Sequence, residues 1–230
     1  MIPLHDESPT RSFPIVNYGL IAANILVFLW QVNLGPAGDA ALARMAMIPE
    51  HVSRSGLLSP VSLQSILTSM FMHAGLLHLG GNMLYLWIFG DNVEDTLGHF
   101  RYLLFYLVGG YVASFTHIML YPTSTVPTVG ASGAIAAVLG AYLLLFPGQR
   151  VLTFISLGFF FQLARIPAVI VLGLWFLLQL FEGALSLGIP DVGGVAFWAH
   201  IGGFVFGMLI GPLLRTRRRP VVYLNDWNRW

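Results

Sequence analysis

The stretch Ala199-His-Ile-Gly-Gly-Phe-Val-Phe-Gly207 decides the fold, because it sets a histidine in a run that has no formal charge over residues 192–214. His200, Gly203 and Gly207 are spaced i, i+3 and i+7, so they fall on one face of a helix. Small residues let membrane helices approach each other closely. The stretch therefore predicts a transmembrane helix that packs tightly on a neighbour and presents His200 to it.

A second stripe of small residues follows the stretch Gly130-Ala-Ser-Gly133. At helical spacing it comprises Gly133, Ala136, Ala137, Gly140 and Ala141. Two smooth helix faces bring their backbones close together. This would place Ser132 and His200 within hydrogen-bonding distance, ~2.6–3.2 Å, as an activated serine nucleophile requires. Two other interpretations stay open: a serine in such a run is most often a packing residue, and a membrane histidine often only bridges two helices.

The composition is that of an integral membrane protein. Hydrophobic residues make up 57% of the 230-residue chain and charged residues 9%, whereas soluble domains carry about 25% charged residues. Four uncharged stretches are each long enough for a helix of ~20 residues across a hydrocarbon core of ~30 Å. They are residues 12–38, 55–90, 102–149 and 192–214.

Charge and cysteine content exclude several function classes. The net charge is +1, which gives no electrostatic reason to expect a nucleic-acid partner. The chain has no cysteine, and this excludes disulfides, thiolate metal sites and a cysteine nucleophile. We expect neither a metal nor a cofactor.

Apolar runs and turn signals predict an all-α fold with six transmembrane helices. The spans are predicted at about 18–30, 65–89, 102–120, 131–146, 166–187 and 195–214. They define one membrane domain over residues 15–214, between an N-terminal tail (1–14) and a basic C-terminal tail (215–230). Residues 33–63 are interpreted as a folded loop at the membrane surface. Residues 151–164, apolar but short, are interpreted as a re-entrant or interfacial stretch.

The arginines set the predicted orientation. Four of them follow the sixth span closely, at positions 215, 217, 218 and 219, and basic residues mark the cytoplasmic side. Six spans then place both termini in the cytoplasm, and the second, fourth and sixth spans start at the outer face. Ser132 and His200 therefore lie toward the same face of the membrane.

A histidine and an asparagine share a face of the second predicted span. His78 and Asn82 are spaced i, i+4, and both side chains can donate hydrogen bonds to a developing oxyanion. Backbone amides in the first turn of a helix lack intrahelical partners, so those near Ser132 can do the same. The other interpretation is a buried His–Asn hydrogen bond between helices. By residue count His78 lies deeper than Ser132, and His73 is interpreted as structural or interfacial.

Three motifs resemble those of the rhomboid intramembrane proteases, and the resemblance covers residues 15–214. They are His78-Leu-Gly-Gly-Asn82, Gly130-Ala-Ser-Gly133 and Ala199-His-Ile-Gly-Gly-Phe-Val-Phe-Gly207. The resemblance implies a rhomboid-like helix bundle and a Ser132–His200 catalytic dyad without an acidic third member. It also implies a water-filled cavity open to the outer face, with an oxyanion hole formed by His78, Asn82 and the backbone amides of Ser132 and Ala131.

By the same resemblance, the expected activity is that of a serine endopeptidase that cleaves transmembrane segments of single-span membrane proteins in the lipid bilayer. The alternative is a non-catalytic rhomboid-like protein that binds or escorts membrane proteins, although such proteins have typically lost the serine or the histidine. In some family members an aromatic residue four positions after the serine stacks on the catalytic histidine. Here that residue is Ala136, so His200 must be oriented in another way. The six-span form and the absence of a transit peptide favour a bacterial inner membrane.

Overall fold

The computed structural model describes residues 1–157, 160–187 and 194–216. The arginines at positions 217, 218 and 219, which supported the predicted orientation, lie outside these residues. Within the described ranges the helices are α1 (Ile15–Asn33), α2 (Ala37–Met45), α3 (Pro49–Ser55), α4 (Pro60–Ser69), α5 (Leu76–Leu97), α6 (His99–Leu120), α7 (Ser132–Leu145), α8 (Ala168–Ser186) and α9 (Phe197–Ile210). The strands are β1 (Ile2–Asp6), β2 (Arg150–Leu157) and β3 (Phe160–Pro167), and a short 3₁₀ turn, Pro212–Leu214, follows α9.

Four helical segments in the described part of the chain are long and apolar enough to cross a membrane. They are α1, α6, α8 and the segment formed by α9 with the 3₁₀ turn. The apolar α7 has 14 residues, and the 22-residue α5 carries Asp91, Glu94 and Asp95 near its end. The mostly helical membrane fold is therefore confirmed, and four of the six predicted spans meet this description.

The second predicted span, residues 65–89, is broken in the structure. One helix ends at Ser69 and the next begins at Leu76. The hydroxyls of Thr68 and Ser69 donate to carbonyls three and four residues earlier, at 2.8–3.2 Å, and such bonds compete with the helical backbone bonds. His78 is thus the third residue of α5, whereas the residue count of an unbroken span had placed it deeper than Ser132.

The predicted loop at 33–63 is folded, as expected, and holds α2, α3 and the start of α4. It is joined to the α6–α7 connection by a β-bridge in which the backbones of Met47 and Thr128 exchange hydrogen bonds of 3.0 and 2.8 Å. The amide of Glu50 also donates to the carbonyl of Ser124 (3.0 Å). This long loop therefore braces the segment that leads into α7.

A three-stranded antiparallel sheet replaces the predicted re-entrant or interfacial stretch at 151–164 and corrects the all-α prediction. Strands β2 and β3 form a hairpin, and β1 pairs with β2. Val151 and Thr153 are fully buried on one face, whereas Phe161 and Leu163 are exposed on the other. The hairpin is apolar on both faces, so its sequence lacks the alternation that signals a strand.

Helix α7 forms the centre of the bundle, and its residues 134–142 are all buried. It packs against α9 with almost no side-chain bulk between the two backbones. A Cβ atom added at Gly203 or Gly207 would collide with a carbonyl oxygen of α7, and one added at Gly140 would collide with a carbonyl oxygen of α9. The predicted close packing of the two glycine-bearing faces is confirmed, and it sets the N-terminal ends of both helices side by side.

Candidate active site

The predicted serine and histidine contact each other directly. His200 Nε2 lies 2.8 Å from Ser132 Oγ, within the normal range of a hydrogen bond. Ser132 is the first residue of α7 and His200 the fourth of α9, so the close packing of these helices sets the distance. The pair has the geometry of a nucleophile beside its general base.

The second nitrogen of the imidazole is held from α8. His200 Nδ1 lies 2.7 Å from Gln179 Oε1, and the Gln179 side chain is buried. A glutamine oxygen only accepts hydrogen bonds, so Nδ1 carries the proton. Nε2 is then free to accept the hydrogen of the Ser132 hydroxyl. Trp175, one helical turn before Gln179, places its ring 5.9 Å from the imidazole ring.

These two α8 residues answer the question raised by Ala136, and the sequence analysis missed them. The Ala136 position on α7 is fully buried and offers no aromatic contact; the contacts to His200 come from α8 instead. A signal was available, because Gln179 is a polar side chain inside an apolar span, where such residues need a partner. Its spacing of i, i+4 from Trp175 indicates that both face the same neighbour.

His78 and Asn82 lie beside the turn that precedes Ser132. Gly130 in that turn has φ +123°, and a Cβ atom there would lie 2.7 Å from His78 Nε2 and 3.5 Å from Asn82 Nδ2. The amide of Gly130 is held by the carbonyl of Ser69 at 2.9 Å. The structure therefore brings both side chains to the loop that carries the serine.

Asn82 is oriented by His73, which the sequence analysis had set apart from the site. Asn82 Nδ2 donates to His73 Nε2 at 2.9 Å, so Asn82 makes a buried His–Asn hydrogen bond, and its partner is a histidine outside α5. His73 is fully buried, and its ring lies edge-on to that of His78 at 5.1 Å. Gln31 of α1 donates to the His73 carbonyl at 2.9 Å. His73 was interpreted as structural or interfacial, and the break before α5 gives it a structural role by folding it back onto Asn82.

A cavity of about 460 Å³ contains these groups. It is lined by Ser132, His200, His78, Asn82 and Trp175 together with mainly small and apolar side chains. A water molecule takes up about 30 Å³ of liquid, so the cavity has room for several waters. Convergent polar groups in a mostly apolar cavity are typical of binding and catalytic sites.

Among the residues that the structure describes, no carboxylate lines this cavity. Those residues also contain no group of three or more His, Asp or Glu side chains placed to hold a metal ion. The functional groups of the described site are thus a hydroxyl, an imidazole base and several neutral hydrogen-bond donors. This set is suited to acyl transfer through a serine.

Comparison with known proteins relates the chain to a family. Residues 61–217 match the Rhomboid domain family, a range that holds all three motifs. The protein named Rhomboid protease GluP of Bacillus subtilis is 32% identical over 193 residues, which cover 78% of this chain and 36% of that protein.

Relatives from mitochondria match as well. Rhomboid protein 1, mitochondrial, of Saccharomyces cerevisiae is 30% identical over 222 residues, covering 91% of this chain and 58% of that protein. Presenilin-associated rhomboid-like protein, mitochondrial, of Homo sapiens is 30% identical over 215 residues, covering 89% of this chain and 50% of that protein. The chain thus spans between about a third and three fifths of the length of these curated relatives.

Proposed function

This chain belongs to the rhomboid family, and from that premise we propose that it is an intramembrane serine endopeptidase that cleaves transmembrane segments of single-span membrane proteins. The observation that carries the proposal is the 2.8 Å contact between Ser132 Oγ and His200 Nε2 inside a roomy cavity. A serine that only packed between helices would need neither the imidazole nor the space.

The proposed reaction uses His200 first as base and then as acid. Nε2 takes the hydroxyl proton while Ser132 Oγ attacks the scissile carbonyl carbon, and the carbonyl oxygen becomes an oxyanion. The protonated imidazole then gives its proton to the leaving amine as the C–N bond breaks, which leaves an acyl-enzyme. A water molecule, deprotonated by the same nitrogen, attacks the ester, and the serine recovers its proton as the acid product leaves.

We propose that four groups stabilise the oxyanion: the side chains of His78 and Asn82 and the backbone amides of Ser132 and Ala131. His78 Nε2 and Asn82 Nδ2 both approach Gly130, two residues before the nucleophile. Ser132 begins α7, where backbone N–H groups lack intrahelical acceptors. Donors fixed in advance around such an oxygen stabilise the transition state.

The proposed membrane arrangement keeps six spans over residues 15–214, with α5 and α7 as the two that lack length or apolarity. The 14 residues of α7 give a helix of about 21 Å, whereas the hydrocarbon core is about 30 Å thick. With the end of α7 at the inner surface, Ser132 lies below the outer surface. Both tails, 1–14 and 215–230, are then on the inner side.

The apolar helices support a membrane location for the chain, but the comparisons do not identify which cellular membrane holds it. The sequence analysis favoured a bacterial inner membrane. Relatives from a bacterium and from mitochondria both match, so the comparisons do not favour the bacterial compartment. We propose a multi-pass membrane protein with both termini on the same side.

Cleavage of a membrane reporter tests the proposal. The purified protein in liposomes is given a single-span reporter with glycine and alanine in its transmembrane segment, and the products are followed by gel and mass spectrometry. We expect cleavage by the unmodified chain and by Ser114→Ala, a matched serine change in the same cavity, and none by Ser132→Ala or His200→Ala. Full activity of Ser132→Ala would refute the enzyme, and binding of the reporter without cleavage by any form would favour the non-catalytic escort.

A further inference from the structure

We propose that Gln179 is a positioning residue for the catalytic histidine, so that a neutral amide on α8 takes the place of the acidic member of a serine-protease triad. The inference rests on the proposed function and adds to it a residue that neither the family motifs nor the serine–histidine contact requires. Gln179 Oε1 lies 2.7 Å from His200 Nδ1, on the side of the ring opposite Ser132.

The hydrogen bond selects the productive tautomer of the imidazole. Because the glutamine oxygen accepts only, it stabilises the form with the proton on Nδ1. That form leaves a lone pair on Nε2, which is the nitrogen that faces the Ser132 hydroxyl. The other tautomer would point an N–H at Ser132 and could not take its proton. A third group that holds the tautomer has this role in serine-protease triads.

The burial of Gln179 indicates that the packing of α8 maintains its contact with His200. Helix α8 buries a single face, comprising Ala168, Val171, Leu172, Gln179 and Gly183. Gln179 is the polar side chain of that face, and burying an amide is costly unless it is hydrogen-bonded. Its hydrogen bond is made to His200 Nδ1, and the Trp175 ring on the same helix lies 5.9 Å from the imidazole ring.

The neutrality of the amide suits its position in a membrane. A carboxylate at this place would have to be desolvated within an apolar bundle, at a large cost. Within the described part of the chain, the titratable groups that act electrostatically on His200 are His78 of α5 and His117 of α6, and neither supplies a negative charge. The amide therefore orients the base and leaves the imidazolium of the intermediate to be stabilised by a dipole alone.

Two variants of equal length separate positioning from simple helix bridging. Gln179→Met keeps the side-chain length and removes the strong acceptor, whereas Gln179→Glu keeps an acceptor oxygen and adds a charge. For Gln179→Met we expect kcat on the reporter to fall by about 10- to 100-fold, since a well-placed general base contributes about 10²–10⁴. KM should stay within about twofold, because the amide does not line the binding cavity.

The pH profile of Gln179→Glu distinguishes a positioning role from a structural one. A carboxylate beside Nδ1 stabilises the protonated imidazole, so the protonated form persists to higher pH. The protonated imidazole cannot act as a base. We therefore expect Gln179→Glu to recover most of the kcat lost in Gln179→Met and to move the acidic limb of the kcat/KM profile to higher pH. Leu178→Met, a change of the neighbouring lipid-exposed side chain, is the matched control and should leave rate and profile unchanged.

Fluorophosphonate labelling of Ser132 keeps the two proposals apart. If the unmodified chain cleaves the reporter and is labelled, but Gln179→Met matches it in kcat and pH profile, the role of Gln179 is refuted and the protease stands. The same holds if both variants lose activity only in proportion to a loss of folded protein, without a shifted acidic limb. If the unmodified chain is neither labelled nor active, the proposed function itself fails.

Discussion

Gly130 is the residue on which the spacing of the candidate oxyanion donors depends. Its φ of +123° lies in a region that residues with a Cβ atom rarely adopt,. A side chain there would also point at the rings and amides that approach the turn, because His78 Nε2 is 2.7 Å from the ideal Cβ position. The turn before Ser132 can therefore keep its shape only with glycine.

Gly130→Ala should lower kcat by about 10²–10³, the cost of losing an oxyanion donor, because the methyl group must displace His78. Gly148→Ala is the control, since a Cβ atom at that glycine would meet no atom within 4 Å. The measurement is kcat on the membrane reporter, with circular dichroism to check folding. An alanine variant at position 130 that is folded and fully active would contradict the proposed oxyanion site.

Single residues of the site differ in how far they could be predicted. Ser132 and His200 could be predicted because the small residues beside them recur at the spacing of a helix face. Gln179 was missed although its polar side chain in an apolar span was a signal, because the sequence alone does not show which helix that face of α8 contacts. The contact of His73 with Asn82 was not foreseen, because it depends on α4 ending early, which local hydroxyl-to-carbonyl bonds favour.

The contact between α7 and α9 is the element that sets the catalytic distance. At Gly207 an added Cβ atom would collide with the carbonyl of Ala137, whereas at Gly173 of α8 it would meet nothing within 4 Å. The same glycine-to-alanine change should therefore have opposite effects at the two positions. In an open helical position alanine is favoured by about 0.4–1 kcal/mol.

Gly207→Ala should lower the free energy of unfolding by about 1–3 kcal/mol, the usual cost of overpacking, and slow the labelling of Ser132. Gly173→Ala should be neutral or stabilising. Thermal unfolding in detergent measures the change in stability of both variants, and the labelling rate reports how well His200 activates Ser132. Equal unfolding midpoints for the two variants would show that the helices do not need the close approach.

The sheet is the element that the sequence analysis missed, and it holds the N-terminal strand to the bundle. Asp6 of β1 accepts hydrogen bonds from Tyr142 of α7 (2.6 Å) and Asn92 of α5 (2.9 Å). Burial raises the pKa of the Asp6 carboxyl above its ordinary value of 3.8, because the ionised form loses hydration,. A carboxyl that holds its proton more tightly when folded makes the fold less stable as the pH rises from the unfolded pKa through the folded one.

Asp6→Asn should remove this loss, because the amide oxygen still accepts both bonds and does not ionise. The unfolding midpoint of the variant should exceed that of the unmodified chain by more at about pH 7 than at about pH 4. Asp39→Asn, a change of an exposed carboxyl, controls for the net charge. A difference that is the same at both pH values would show that Asp6 does not titrate as proposed.

At the level of the complete chain, the family motifs and the apolar composition predicted the type of fold, and contacts between distant segments decided the rest. The residues that form the cavity come from α4, α5, α6, α7, α8, α9 and their connections, so its volume could not be read from any single motif. The span count also depends on how a bilayer meets the short α7 and the partly charged α5, which the sequence pattern alone does not determine.

The central claim is that this assembly activates one serine for attack on a carbonyl. The most direct measurement is to treat the protein in liposomes with a fluorophosphonate and to locate the adduct by mass spectrometry. We expect the adduct on the peptide that contains Ser132, and no adduct when His200 is replaced by alanine. No adduct in the unmodified chain, or an adduct that persists without His200, would contradict the account.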